Sequence, residues 1–157
     1  MQTYRIVVGF DGSDGGMRAL SWAVAEAAKR GGVVQAVTAW RWTEPALGVD
    51  VRAEHERMAR SVLEDAITVA RHAHPEVAVA GEVVPGTPAD VLTHAAADAD
   101  LLVLGSHGHG RLFHAVLGSA AEQCVRAAVC PVVVVPVPHP PVPPAAPPAA
   151  PVTTATY

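Results

Sequence analysis

Aromatic residues, cysteines and positive charge are all scarce in this chain. Phe, Trp and Tyr make up only 4% of its 157 residues, so a composition that is 50% apolar must build its core from Val, Ala and Leu. Lys and Arg number 11 against 15 Asp and Glu, a formal net charge of −4, and they form no basic cluster. Binding a phosphate backbone needs a basic face, which excludes nucleic acid as the main partner. A small anionic ligand is not excluded, because backbone amides hold anions without much Lys or Arg. The two cysteines, Cys124 and Cys130, are too few for a disulfide framework. Both read as small buried thiols. No window approaches the ~18 apolar residues of a membrane span. The first residues, Met1 to Arg5, lack the basic start, apolar segment and cleavage site of a signal peptide. The chain reads as cytoplasmic, with no membrane contact.

What the sequence does contain is alternation. Tyr4 to Gly9 is a short β-branched run that ends in a turn, Gly9-Phe10-Asp11-Gly12-Ser13. Ser13 suits the N-cap of a helix whose apolar positions Met17, Leu20, Ala23, Val24 and Ala27 recur at helical spacing. Val33 to Trp40 reads as a second strand. After a loop broken by Pro45 and Gly48, residues 51–73 form an amphipathic helix. Its expected buried face is Met58, Val62, Ala66, Val69 and Ala70, opposite a solvated charged face. Val77 to Val84 is a third strand. Thr87-Pro88-Ala89-Asp90 is a helix start, with Thr87 as cap and Pro88 at the first helical position. Leu101 to Leu104 is a fourth strand, Ser119 to Ala128 a helix and Pro131 to Val135 a fifth strand. The organisation expected is one domain over residues 1–137 followed by a Pro/Ala-rich tail, 138–157, that reads as disordered.

Strands alternating with helices build a parallel sheet with helices on both faces and right-handed crossovers, an α/β Rossmann-like sandwich. In such sheets the ligand crevice lies beyond the carboxyl ends of the strands, where the winding reverses. With a five-stranded order of 3-2-1-4-5, strands one and four flank that crevice. The loops that follow them, Gly9–Ser13 and Gly105–Gly118, are the two glycine-rich loops of the chain.

The second loop admits two local readings. Gly105, Gly108 and Gly118 let backbone amides approach a ligand, and the N–H groups of Ser119 and Ala120 would face a phosphate at the start of a helix. Ser119-Ala120-Ala121-Glu122 also has the form of a capping box, in which the hydroxyl serves the helix itself. Asp11 is equally two-sided: a ribose or adenine acceptor, or an Asp bonding its own turn. His107, His109 and His114 match no common zinc spacing, and a phosphate contact by His107 or Arg111, or simple solvent exposure, suits them better. No G-x-x-x-x-G-K-[ST] occurs, and no general base is evident near the loop.

Taken together, Ile6-Val7-Val8-Gly9-Phe10-Asp11-Gly12-Ser13, Asp100 to Gly108, Leu117-Gly118-Ser119 and Cys130 to Pro136 resemble the universal stress protein family over roughly residues 3–137. Gly105, Gly108, Gly118 and Ser119 fit the G-x2-G-x9-G-[ST] pattern of its ATP-binding branch without a gap. The resemblance implies ATP as ligand, with Mg or Mn held by the phosphates. Adenine would lie near Asp11 and Ala39, through largely backbone contacts around Gly9 and Phe10. Ribose would lie by Asp11 and Gly105, and the phosphates along Ser106, His107, Gly108 and His109 and at Gly118, Ser119 and Ala120. It also implies a nucleotide-dependent stress regulator, or alternatively a slow ATPase or a dimeric module for another adenine nucleotide. A homodimer through Val132–Val135 is expected both from the family and because an open apolar edge strand is an aggregation hazard.

Overall fold

Among the described residues, nine elements follow one another in strict alternation. They are β1 (Arg5–Gly9), α1 (Asp14–Arg30), β2 (Val33–Trp40), α2 (Val49–Ala73), β3 (Ala78–Pro85), α3 (Pro88–Ala95), β4 (Leu101–Gly105), α4 (Ser119–Ala127) and β5 (Val132–Val135). The computed structural model describes residues 3–41, 49–108 and 117–138. The expected tail thus lies almost wholly outside the described residues. All four strand pairings are parallel, as the alternation predicts, and the order is β3-β2-β1-β4-β5, the one the family resemblance implies. The chain winds outward from β1 to β3, then returns to β4 on the other side of β1. The switch point therefore lies between β1 and β4, which pair through Ile6–Leu101, Val7–Leu102 and Val8–Val103.

Period-two alternation splits the strands between two cores. Ile6, Val8, Phe10, Val34, Ala36 and Val103 pack against α1 and α2. Val7, Val37, Leu102 and Leu104 face the other way, against α3 and α4. Helix α1 begins at the expected cap, where the Ser13 hydroxyl accepts from Gly16 N–H. It ends at Gly31, whose φ of 63° is left-handed and suits a residue without Cβ. Helix α3 is capped by Thr87, with Pro88 in its first turn as expected.

Two expectations about the helices are corrected. The buried face of α2 is Leu63, Ala66, Ile67 and Ala70, while Met58, Val62 and Val69 are exposed. The cause is Gly81 on β3: a Cβ there would overlap Ile67 Cδ1 and stand 3.1 Å from Leu63 Cδ2, so α2 settles with these residues over the glycine. The second correction concerns α4. Its N-cap is Gly118, in extended geometry, whose carbonyl accepts the first intrahelical bond from Glu122 N–H at 2.9 Å. Ser119 is therefore inside the helix, and among the described residues there is no side-chain cap. Glu122 pairs instead with Arg126, at 2.7 Å. The capping box is ruled out because Gly118 N–H is tied to the Ser106 carbonyl at 2.6 Å, which starts the helix one residue early.

Candidate functional site

After β1 ends at Gly9, the chain keeps its register with β2 for one more residue, and Phe10 N–H donates to the Val37 carbonyl at 2.9 Å. The Phe10 ring is thereby drawn into the core. Gly12 then turns the chain with a φ of 79°, in the left-handed region. Asp11 is held by this turn: its Oδ1 accepts from Ser13 N–H at 2.9 Å and from the Ser13 hydroxyl at 2.5 Å.

The second wall is built where β4 runs out. Gly105 lies against the first turn of α1, and a Cβ on it would stand 2.8 Å from the Gly15 carbonyl carbon and oxygen. This glycine permits backbone-to-backbone packing that any side chain would forbid. Ser106 N–H donates to the Val135 carbonyl at 2.9 Å, which ties the loop to β5. Ser106 is itself buried, and its hydroxyl lies 3.1 Å from His107 Nδ1. Gly108 passes under Asp11 so closely that a Cβ would overlap Oδ2 of the carboxylate. The Gly118–Ser106 hydrogen bond then closes the excursion and aims α4 at the same space.

These walls enclose a crevice of about 330 Å³ at the carboxyl ends of β1 and β4. Its volume is at the lower end of the range usual for small-molecule sites, roughly 300–1,000 Å³. Of the residues expected at the site, Gly9, Phe10, Asp11, Ala39, Gly105, Ser106, His107, Gly108, Gly118, Ser119 and Ala120 all line it. His109 and Arg111 lie outside the described residues, as does His114. Sequence reasoning missed Gly16, Val37, Leu104 and Ala121, and also Pro88 and Leu92, which α3 contributes. The signal for α3 was available: the Thr87-Pro88 start places its N-terminus at the carboxyl end of β3, on the crevice side.

Asp11 is the one carboxylate among the described lining residues, and none of these is Lys or Arg. Among the described lining residues the fixed positive potential therefore comes from backbone. Ser119, Ala120 and Ala121 occupy the first turn of α4, where N–H groups have no intrahelical acceptor, and Gly118 offers no side chain to cap them. Such an end suits an anion. Val37, Ala39 and Leu92 supply an apolar flank suited to a planar ring. Among the described residues no group of three or more His, Cys, Asp or Glu stands together to hold a metal ion.

A larger depression, about 600 Å³, lies at the opposite ends of β2 and β3. Its two arginines have structural partners. Arg5 donates to Gln35 Oε1, and Arg71 donates to the Val79 carbonyl on the β3 edge. The switch-point crevice is thus the better candidate site, although it is the smaller of the two.

A five-stranded, doubly wound parallel sheet with a glycine-walled crevice at its switch point defines the class: α/β proteins whose site lies between two βα loops. Within that class, the model of the universal stress protein family matches residues 3–136, and the chain belongs to that family. It is 36% identical over 131 residues to a universal stress protein of Mycobacterium tuberculosis, an alignment covering 82% of this chain and 44% of that protein. The chain thus spans under half the length of the curated relatives it matches. Among solved structures, it is similar to a universal stress protein crystallised in complex with cAMP, with 27% identity and a TM-score of 0.67, covering 86% of this chain and 98% of that one. The fold also matches the universal stress protein of Lactobacillus plantarum, with a TM-score of 0.74 at 24% identity over 86% of this chain and 99% of that one.

Proposed function

We propose that this chain binds an adenine nucleotide, ATP, in the switch-point crevice and acts as a nucleotide-dependent regulator in stress response. The observation that carries this reading is the α4 N-terminus, which has no side-chain cap among the described residues and lines a crevice walled by glycines. The cAMP complex of the structural relative supports an adenine nucleotide as the ligand class. Adenine is assigned to the apolar flank at Val37 and Ala39. Ribose is assigned to Asp11 and Gly105, and the phosphates to Ser106–His109 and to the amides of Gly118–Ala120. Arg111 and a phosphate-bound Mg or Mn ion complete the proposal. The domain that binds is 1–137, and two copies pair along β5.

Calorimetry on the full chain with ATP, beside the Ser119→Asp variant, tests this reading. An acid in the first turn of α4 favours the helix dipole by about 0.3–1 kcal/mol while placing negative charge where the phosphates are assigned. ATP is expected to bind the wild type. The variant is expected to lose at least about tenfold in affinity, with a melting temperature equal to or above wild type. Absence of binding heat in the wild type, or equal affinity in the variant, overturns the assignment. Phosphate release measured on the same samples separates a sensor from a slow ATPase.

A further inference from the structure

Strand β3 closes one side of the sheet, and among the described residues no strand lies beyond it. Gly86 N–H donates to the Trp40 carbonyl at 3.0 Å, so the even-numbered residues of β3 turn their backbone groups toward β2. By alternation those of Val79, Gly81 and Val83 turn outward. The Val79 carbonyl accepts from the Arg71 guanidinium, at 2.5 Å from Nη2, which leaves Gly81 and Val83 as the open part of the edge. A groove of about 410 Å³ runs along it, with the exposed Gly81 on one side and Leu63, Ile67 and Thr68 of α2 on the other. Arg71 lines both this groove and the depression of about 600 Å³ below it.

The chain also carries a segment with the composition of a further strand. Residues 138–151 hold eight prolines in 14 positions, whereas 152–157, Val-Thr-Thr-Ala-Thr-Tyr, hold none. Apart from Ala155, those six are all β-branched or aromatic, the types that favour strands. The Pro-rich stretch follows the carboxyl end of β5, and in a parallel sheet this is the side on which β3 also ends. Four strand spacings separate the two ends, about 19 Å. At polyproline rise, 14 residues reach about 43 Å. Such a spacer is far longer than the roughly 2–5 residues that turn a hairpin back onto its own strand, which argues against β5 as the destination.

We propose that Val152–Tyr157 adds to the β3 edge of its own chain as a sixth strand, antiparallel to β3. The direction follows from the approach, since a segment reaching the carboxyl end of β3 runs back along it. The register follows from Gly81. A Cβ there would overlap Ile67 Cδ1, so the residue opposite it on the same face must be small. Ala155 is the one member of the segment with no atom beyond Cβ. Ala155 opposite Gly81 sets Thr153 opposite Val83, and each pair exchanges both backbone hydrogen bonds. Tyr157 then falls beside Val79, where Arg71, Pro75 and Val77 line the larger depression and offer its ring a slot. Main-chain bonds supply the affinity of such strand addition, and pockets for alternate side chains supply its specificity. The added strand closes the edge against pairing with other chains.

Amide hydrogen exchange, read residue by residue by NMR on the full chain, tests the proposal. Glu82 and Val84 face β2 and report that the sheet is intact. In wild type, Gly81 and Val83 are expected to exchange slowly too, rather than alternating with them. Ala155→Pro removes the N–H that the Gly81 carbonyl would accept. It is expected to speed exchange at Gly81 and Val83 at least about tenfold, the scale of one or two lost hydrogen bonds. Thr154→Pro, whose N–H faces solvent in this register, is expected to leave both slow. Fast exchange at Gly81 and Val83 in wild type overturns the proposal, as does unchanged protection in Ala155→Pro. Equal loss in the two proline variants overturns the register. Wild-type protection that fades on dilution makes the occupant a segment of a second copy and overturns pairing within one chain.

Discussion

Cys124 touches no part of the crevice, yet its burial has a measurable consequence. It is fully buried against α3, and burial pushes its thiol pKa up, because a thiolate there would lose its water. Cys130 is shifted the same way, first by burial, but it is only half-buried, which corrects the expectation that both thiols are enclosed. A raised folded-state pKa makes a contribution that is intact below the unfolded thiol value, about 8.5, and lost above it. In that upper range the unfolded chain releases protons that the native thiol retains. Thermal unfolding between about pH 8 and 9.5 should therefore show a falling melting temperature that is flatter in Cys124→Ala. Parallel slopes in the two proteins would refute the claim. At this scale the sequence was partly legible. Asp11 was readable both as a turn former and as a ligand acceptor, and the structure shows the first role, its Oδ1 accepting from the Ser13 N–H and hydroxyl. That the carboxylate also comes to lie against Gly108 was not legible, since it depends on the close approach of two loops far apart in the chain.

At the scale of elements, α2 is the informative failure. Its sequence carries two apolar stripes about 125° apart on a helix of 3.6 residues per turn, one through Met58, Val62 and Val69 and the other through Leu63, Ile67 and Ala70, with Ala66 between them. Helical periodicity alone cannot choose between two such stripes. Gly81 makes the choice, by leaving room on β3 for Leu63 and Ile67. Leu63→Ala should accordingly cost about 2–5 kcal/mol of stability in urea unfolding. Val62→Ser, one residue away but 48% exposed, should stay within about 0.5 kcal/mol. Comparable losses in both variants would mean that the helix docks by its other face. The start of α4 makes the same point, since the capping-box spacing is present in sequence but a hydrogen bond from outside the helix set the cap.

For the whole molecule, the sheet has two edges, and they are protected differently. On β3, the Arg71 side chain donates to the edge carbonyl of Val79. On β5, the Pro131 and Val135 carbonyls accept from Leu102 and Ser106, so by alternation Val132 and Val134 turn their backbone groups outward. Their side chains are half-buried, and the strand is wholly Val. The proposed dimer would pair these outward groups. Val134→Pro removes an outward N–H while leaving the bonds to β4 in place, which edge positions tolerate. Sedimentation should then report a dimer for wild type and a monomer for the variant, with unchanged far-UV circular dichroism. A persistent dimer would place the interface elsewhere.

The resemblance to the universal stress protein family implied the strand order, with its switch point between β1 and β4, while the sequence by itself determined the alternation of strands and helices, their caps at Ser13 and Thr87, and hence a parallel sheet. These follow from local periodicity, turn chemistry and chain handedness, all of which act over a few residues. It also placed Gly105, Gly108, Gly118 and Ser119 along the one connection from β4 to α4. Only the tertiary structure decided which stripe of α2 is buried, that α4 goes without a side-chain cap, and that Pro88 and Leu92 join the crevice. It also decided that Asp11 is held between Ser13 and Gly108. Each of these depends on the close approach of backbone segments far apart in the chain, and packing of that kind leaves no periodic trace in the sequence.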